Sequence, residues 1–154
     1  MEHFPAPLSR AESAFMLEQI EHGFERNGFG LWALEEIENG TLLGLTGLSP
    51  VPFAAHFTPA VEVGWRLAVA AWGQGYATEA ANAALEFGFA QVGLDEIVSF
   101  TATSNNRSIA VMRRIGMHSD ASEHFDHPLI DCDHRLCRHV LYRLRADEYR
   151  DDAA

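Results

Sequence analysis

A single α/β domain built on a mixed sheet is the fold this 154-residue chain predicts. Three observations carry it. Two strand-length runs, 31–37 and 41–48, flank Glu38-Asn39-Gly40, and Asn-Gly tolerates the positive φ angles of a hairpin turn. The apolar run 61–69 feeds a glycine-rich loop that opens a helical pattern reaching about residue 92. Beyond it, strand-like and helix-like segments alternate to the end of the chain.

Element by element, Pro7-Leu8-Ser9-Arg10-Ala11-Glu12 reads as a helix start. Ser9 and Glu12 have capping-box spacing, and Phe15, Met16, Ile20 and Phe24 follow at helical intervals. Gly28 to Gly30 ends that helix, the hairpin follows, and 50–59 is a loop bounded by prolines. The strand 61–69 and the helix from Gly75 come next. Residues 96–102 form a β-rich strand, 108–115 a short helix, 117 to about 123 a further strand and 139–144 the last one. The acidic tail Asp147-Glu148…Asp151-Asp152 reads as a solvated end.

Composition bounds the function. An apolar fraction of 47% with 21% charged residues is ordinary for a soluble domain. No apolar run has the length of a membrane span, and Met1-Glu2-His3-Phe4-Pro5 lacks the regions of a signal peptide. Cys132 and Cys137 are the only cysteines, too few for a disulfide framework, so a cytoplasmic setting is expected. The net charge of -11 argues against nucleic acid as a partner and favours attraction of a cationic amine.

The loop Trp72-Gly73-Gln74-Gly75-Tyr76-Ala77 is the most informative segment. Glycines there let the backbone approach an anion, and the first helical N–H groups have no internal partner, so loop and helix start form an anion cradle. A P-loop would need Lys-Ser/Thr after the last glycine, whereas Gly75 is followed by Tyr76-Ala77. A dinucleotide fingerprint would need an acid at the end of the next strand, whereas Asp95 and Glu96 stand at its start.

The pattern Gly73-x-Gly75-x-Ala77 with Glu79-Ala80 resembles the pyrophosphate loop R/Q-x-x-G-x-G/A of the GNAT superfamily of acetyl-CoA-dependent N-acetyltransferases, with Trp72 where that loop has Arg or Gln. The block Asn105-Asn106-Arg107-Ser108…Val111-Met112…Gly116-Met117 resembles the second motif of its RimJ/RimL-like subgroup, the ribosomal-protein N-terminal acetyltransferases. The resemblance spans roughly residues 29–144 in order of elements. It implies one domain over residues 1–154, with a mostly antiparallel central sheet flanked by helices. The subgroup opens with a strand before the first helix, so here the sheet is expected to lack its first strand. A misassigned start, a shortened chain or another segment covering the edge would each account for that. A bare edge invites pairing into a homodimer.

The resemblance further implies acetyl-CoA as cosubstrate, held by Leu67, Val69, Trp72, Gly73, Gln74, Gly75, Tyr76, Ala77, Asn105 and Ser108, with no metal. Asn105 would hold the pantetheine arm or cap the helix, since its amide both donates and accepts. The acceptor would be a primary amine, on a protein N-terminus or a small molecule. Direct transfer needs a base for the amine and a proton for the departing thiolate. Glu62, alternating between Val61 and Val63 on the strand before the loop, is the candidate base, and a half-buried carboxylate has the raised pKa that suits it. Ser108 is the candidate for the thiolate, because Met112, four residues before Gly116, has no proton to give. Trp65 and Phe100 read as core aromatics. Two competing readings stand beside this one: a metal-binding protein using the His/Cys-rich segment 118–139, and a non-catalytic acyl-CoA-binding module. The spacing of Cys132 and Cys137 suits a structural zinc poorly. A polar acceptor-side loop containing Phe125-Asp126-His127-Pro128 is the alternative use of that segment.

Overall fold

Ser9 starts the first helix as its spacing predicts. Its hydroxyl accepts from the Glu12 N–H at 3.2 Å while the Glu12 carboxylate accepts from the Ser9 N–H at 2.7 Å. Helix α1 (Arg10–Asn27) ends at Gly28, whose φ of 74° places it in the left-handed region that closes helices. The computed structural model describes residues 8–152. The expectations for the first residues, no signal peptide and a helix entered through Pro7, lie outside them.

The hairpin forms with strands β1 (Leu31–Glu35) and β2 (Leu42–Pro50). The first strand stops two residues early, because the Gly40 N–H reaches back to the Glu36 carbonyl at 2.8 Å and widens the turn. Strand β3 (Val61–Leu67) pairs antiparallel with β2, then gives way to a short 3-10 turn at Val69–Ala71. Helix α2 (Tyr76–Phe87) continues into a π-helical turn, Gly88–Val92, and reaches the predicted end. Strand β4 (Glu96–Ala102), helix α3 (Asn106–Arg114), the two-residue strand β5 (Phe125–Asp126) and strand β6 (Arg138–Arg145) follow.

Among the described residues the sheet has six strands in the order β1-β2-β3-β4-β6-β5, with β1 at one edge. All neighbours are antiparallel except β3 and β4, which run parallel and share only the register pair Glu62↔Val98. Alternation divides the core between the two faces of the sheet. Val63, Ile97, Val140 and Leu144 pack with Leu85 of α2 and Met112 of α3. Val98 and Leu141 face the other way and pack with Phe57 and Phe125.

Two expectations are corrected. Residues 117–123 do not form a strand. His118 makes a single bridge to Arg143, and 121–123 coil into a 3-10 turn. The Asp120 carboxylate accepts from the Ser122 N–H and hydroxyl at 2.8 and 2.7 Å, and Arg143, from β6, holds Glu123 at 2.6 Å, so side-chain bonds replace ladder bonds. The acidic tail, expected only as a solvated end, keeps Asp147 exposed but is helical. It forms helix α4 (Ala146–Asp152), anchored by the Tyr149 ring 5.0 Å from Phe89 and by the Ala146 N–H on the Asp95 carbonyl at 2.9 Å.

Candidate active site

Once past Glu62↔Val98, β3 and β4 diverge and no longer satisfy each other. The opening holds two cavities, of about 480 and 940 Å³, whose walls share Trp65, Arg66, Asn105 and Ser108. Both lie in the size range of small-molecule sites.

The larger cavity ends on the glycine loop. Gly73 and Gly75 have φ of 74° and 89°, and a Cβ built on either would meet nothing within 4 Å, so the backbone there faces open space. Gly75 caps α2 without a side chain, and the first helical bond is Glu79 N–H to the Gly75 carbonyl at 3.1 Å. The N–H groups of residues 76–78 are therefore left for an anion. The site thus fits a diphosphate by the shape and polarity of its backbone. Trp72 fastens the loop to β3, its indole N–H donating to the Leu67 carbonyl at 3.0 Å. Arg107 lies over that indole, 4.5 Å from its centroid, and brings a cation to the wall that the loop's own sequence does not supply. Tyr76 donates to Glu36 at 2.7 Å and ties the start of α2 to the hairpin.

Of the residues predicted for the cosubstrate, Leu67, Trp72, Gly73, Gly75, Tyr76, Ala77, Asn105 and Ser108 line this cavity. Val69 and Gln74 do not. Val69 is turned outward in the 3-10 turn, and the Gln74 side chain donates back to the Ala70 carbonyl at 2.8 Å. The sequence reading missed Asn82, Arg107 and Arg114. Arg107 and Arg114 are seven residues apart, two turns of one helix face, and starting the helix at Asn106 instead of 108 would have placed them on it together.

The smaller cavity has Glu62 on its wall. Burial is the cause that pushes this carboxyl from 4.5 up to about 7. At the junction of the cavities, the Ser108 hydroxyl accepts from the Asn105 side-chain amide at 3.1 Å and from the Trp65 indole at 3.3 Å. Both donors are N–H groups, so the serine's own proton is what it has left to offer. Asn105 also donates to the Thr101 hydroxyl at 2.9 Å and caps α3 by accepting from the Ser108 N–H. Trp65 packs against the first core cluster as expected and is also a polar element of the site. Phe100 packs beside the second core cluster as expected but also walls the smaller cavity.

His127 and His139 line the same cavity with ring centroids 4.9 Å apart. The His139 Nδ1–H donates to the Cys137 carbonyl at 3.0 Å, whereas His127 Nδ1 accepts from the Leu129 N–H at 3.3 Å. Burial holds both rings below the usual histidine range. Within the segment 118–139, the described residues that gather ligand atoms within 4.8 Å are Asp131, Cys132 and Asp133, all exposed. Neither Cys132 nor Cys137 lines either cavity.

Comparison with known proteins agrees with this geometry. A family model described as an acetyltransferase (GNAT) domain matches residues 1–118. An uncharacterised Bacillus subtilis protein, YkkB, is 36% identical over 91 residues, 59% of this chain and 52% of its own length. An Aspergillus fumigatus FsC-acetyl coenzyme A-N(2)-transacetylase is 36% identical over 94 residues, 58% of this chain and 39% of its own length. The matched segments therefore span about half or less of those relatives. A solved acetyltransferase from Agrobacterium tumefaciens has a TM-score of 0.70 at 26% identity, over 91% of this chain and 74% of that one. A Vibrio cholerae spermidine N-acetyltransferase, SpeG, has a TM-score of 0.71 at 17% identity over 92% and 79%, which speaks for the fold alone. The family model covers well over half of the 154 residues, and the chain belongs to the GNAT acetyltransferase family.

Proposed function

We propose that this chain is an acetyl-CoA-dependent N-acetyltransferase of the RimJ/RimL-like subgroup, passing an acetyl group directly to a primary amine. The carrying observation is the β3–β4 opening. It joins an anion cradle at 73–77 to the half-buried Glu62 through the hydrogen-bonded Ser108. The cosubstrate's diphosphate rests on the N–H groups at the start of α2, with Arg107 and Arg114 adding charge. Its pantetheine arm runs past Leu67 and Asn105, which puts the thioester where the two cavities meet.

Glu62 takes a proton from the acceptor ammonium, directly or through water. The amine nitrogen then bonds to the thioester carbon as the carbon–sulfur bond breaks. The departing thiolate takes the Ser108 proton, which the amine's remaining proton restores through solvent. A carboxyl that ionises near neutrality is matched to this task.

The test is calorimetric titration of acetyl-CoA into the wild type and Gly75→Glu. A Cβ on Gly75 meets no neighbour, so the added charge falls in the cradle, while the φ of 89° adds backbone strain that makes a check of the variant's folding part of the test. Binding by the wild type and its loss in a folded variant supports the site. Absence of binding by the folded wild type overturns it.

A further inference from the structure

We propose that the acceptor is a primary amine with a single cationic nitrogen and an apolar body of about six carbons or more, not a polyamine. This rests on the reading of the cleft as the acetyl-transfer site. The cavity of about 480 Å³ in front of Glu62 is walled by Phe100, Leu129 and Ile130 on one side and by Met16, Leu31 and Leu45 on the other. Among its described lining residues Glu62 is the only carboxylate. Arg66, on the same face of β3 two alternations further along, places a guanidinium on the wall.

The histidine pair supplies no counter-charge. An imidazole is neutral or cationic, so neither ring can pair with an ammonium as an anion, and burial disfavours the charged form of both. A polyamine would carry its second ammonium several carbons from the first. That charge would lie against apolar side chains or beside a guanidinium, losing its water without gaining an anion from the described lining residues. An apolar tail meets matching surface along the same path, and each CH₂ group buried there is expected to raise kcat/KM by roughly fourfold.

The experiment uses the full chain with acetyl-CoA and follows release of the CoA thiol. The acceptors are ethylamine, hexylamine, 2-phenylethylamine, spermidine, and tetrapeptides beginning with Phe or Gly. The expected result is a kcat/KM that climbs at least tenfold from ethylamine to hexylamine and exceeds that for spermidine by a similar factor. A preference for the Phe over the Gly tetrapeptide supports the same pocket chemistry. Comparing the Phe tetrapeptide with 2-phenylethylamine distinguishes a chain terminus from a free amine as the source.

Leu129→Glu adds a second carboxylate at the rim. Leu129 is 71% exposed, so the fold tolerates the change. The variant should lose several-fold on 2-phenylethylamine and gain on spermidine. Spermidine acetylated as well as hexylamine by the wild type, or no dependence on chain length, overturns the proposal while leaving the acetyltransferase reading intact. Thiol release with none of the amines, from protein that binds acetyl-CoA, overturns both.

Discussion

Glu62 shows how one residue's surroundings set its chemistry. In the unfolded chain it ionises near 4.5, whereas burial beside the cleft delays ionisation to about 7. The folded state therefore holds the proton more tightly between those values. This contribution to stability is complete below pH 4.5 and is lost as pH rises through 7, an effect of up to about 3 kcal/mol. Glu62→Gln removes that dependence. Denaturant unfolding should show the variant little changed near pH 4.5 and more stable than wild type at pH 8. The same substitution should lower kcat by about 10²–10⁴-fold and erase the acid limb of the rate profile, whose midpoint in the wild type lies near pH 7. An unchanged limb in Glu62→Gln would assign the base to another group. Ser108 makes a complementary case: its identity was legible in the sequence, but the two N–H donors that orient it come from positions 65 and 105.

At the scale of elements, β2 and β3 meet unusually closely where the cleft begins. A Cβ on Gly44 would stand 2.1 Å from the Arg66 carbonyl oxygen and 2.8 Å from the Leu67 Cα, both backbone atoms with little freedom to yield. Gly44→Ala should destabilise the protein by about 1–3 kcal/mol. It should also weaken acetyl-CoA binding, since the displaced strand carries Leu67 into the cavity wall. Unfolding midpoints and calorimetry measure the two effects. The hairpin, α2, β4 and α3 were legible because Asn-Gly, the glycine loop and the β-rich run are local signals. The strand expected at 117–123 that does not form and the unforeseen α4 have a common cause. Ion pairs and ring contacts with distant residues, Arg143 with Glu123 and Tyr149 with Phe89, decide both segments.

Across the whole molecule, a net charge of -11 opposes the approach of an anionic cosubstrate to the proposed cradle, beside which Arg107 places a local cation. Long-range repulsion is screened by salt, while contacts within the site are screened less. The association rate constant for acetyl-CoA should rise several-fold between 10 and 150 mM salt, and KM for a cationic amine should rise over the same range. Stopped-flow binding and steady-state rates read these out. An association rate that falls with salt would mean that the local cations outweigh the global field.

The sequence by itself determined the family, the glycine cradle and the order of most elements, because these depend on neighbours along the chain: turn residues, caps and periodicity. It also named Glu62 and Ser108, since strand alternation and motif position are local properties. Only the tertiary structure decided that β3 and β4 part after a single register pair. Only there does Trp65 become a hydrogen-bond donor to Ser108, Arg107 cover Trp72, and two histidines join an apolar wall in front of Glu62. The physical reason is range. Each of those arrangements unites side chains from strands and helices far apart in the chain, and no local pattern records which of them packing will bring together.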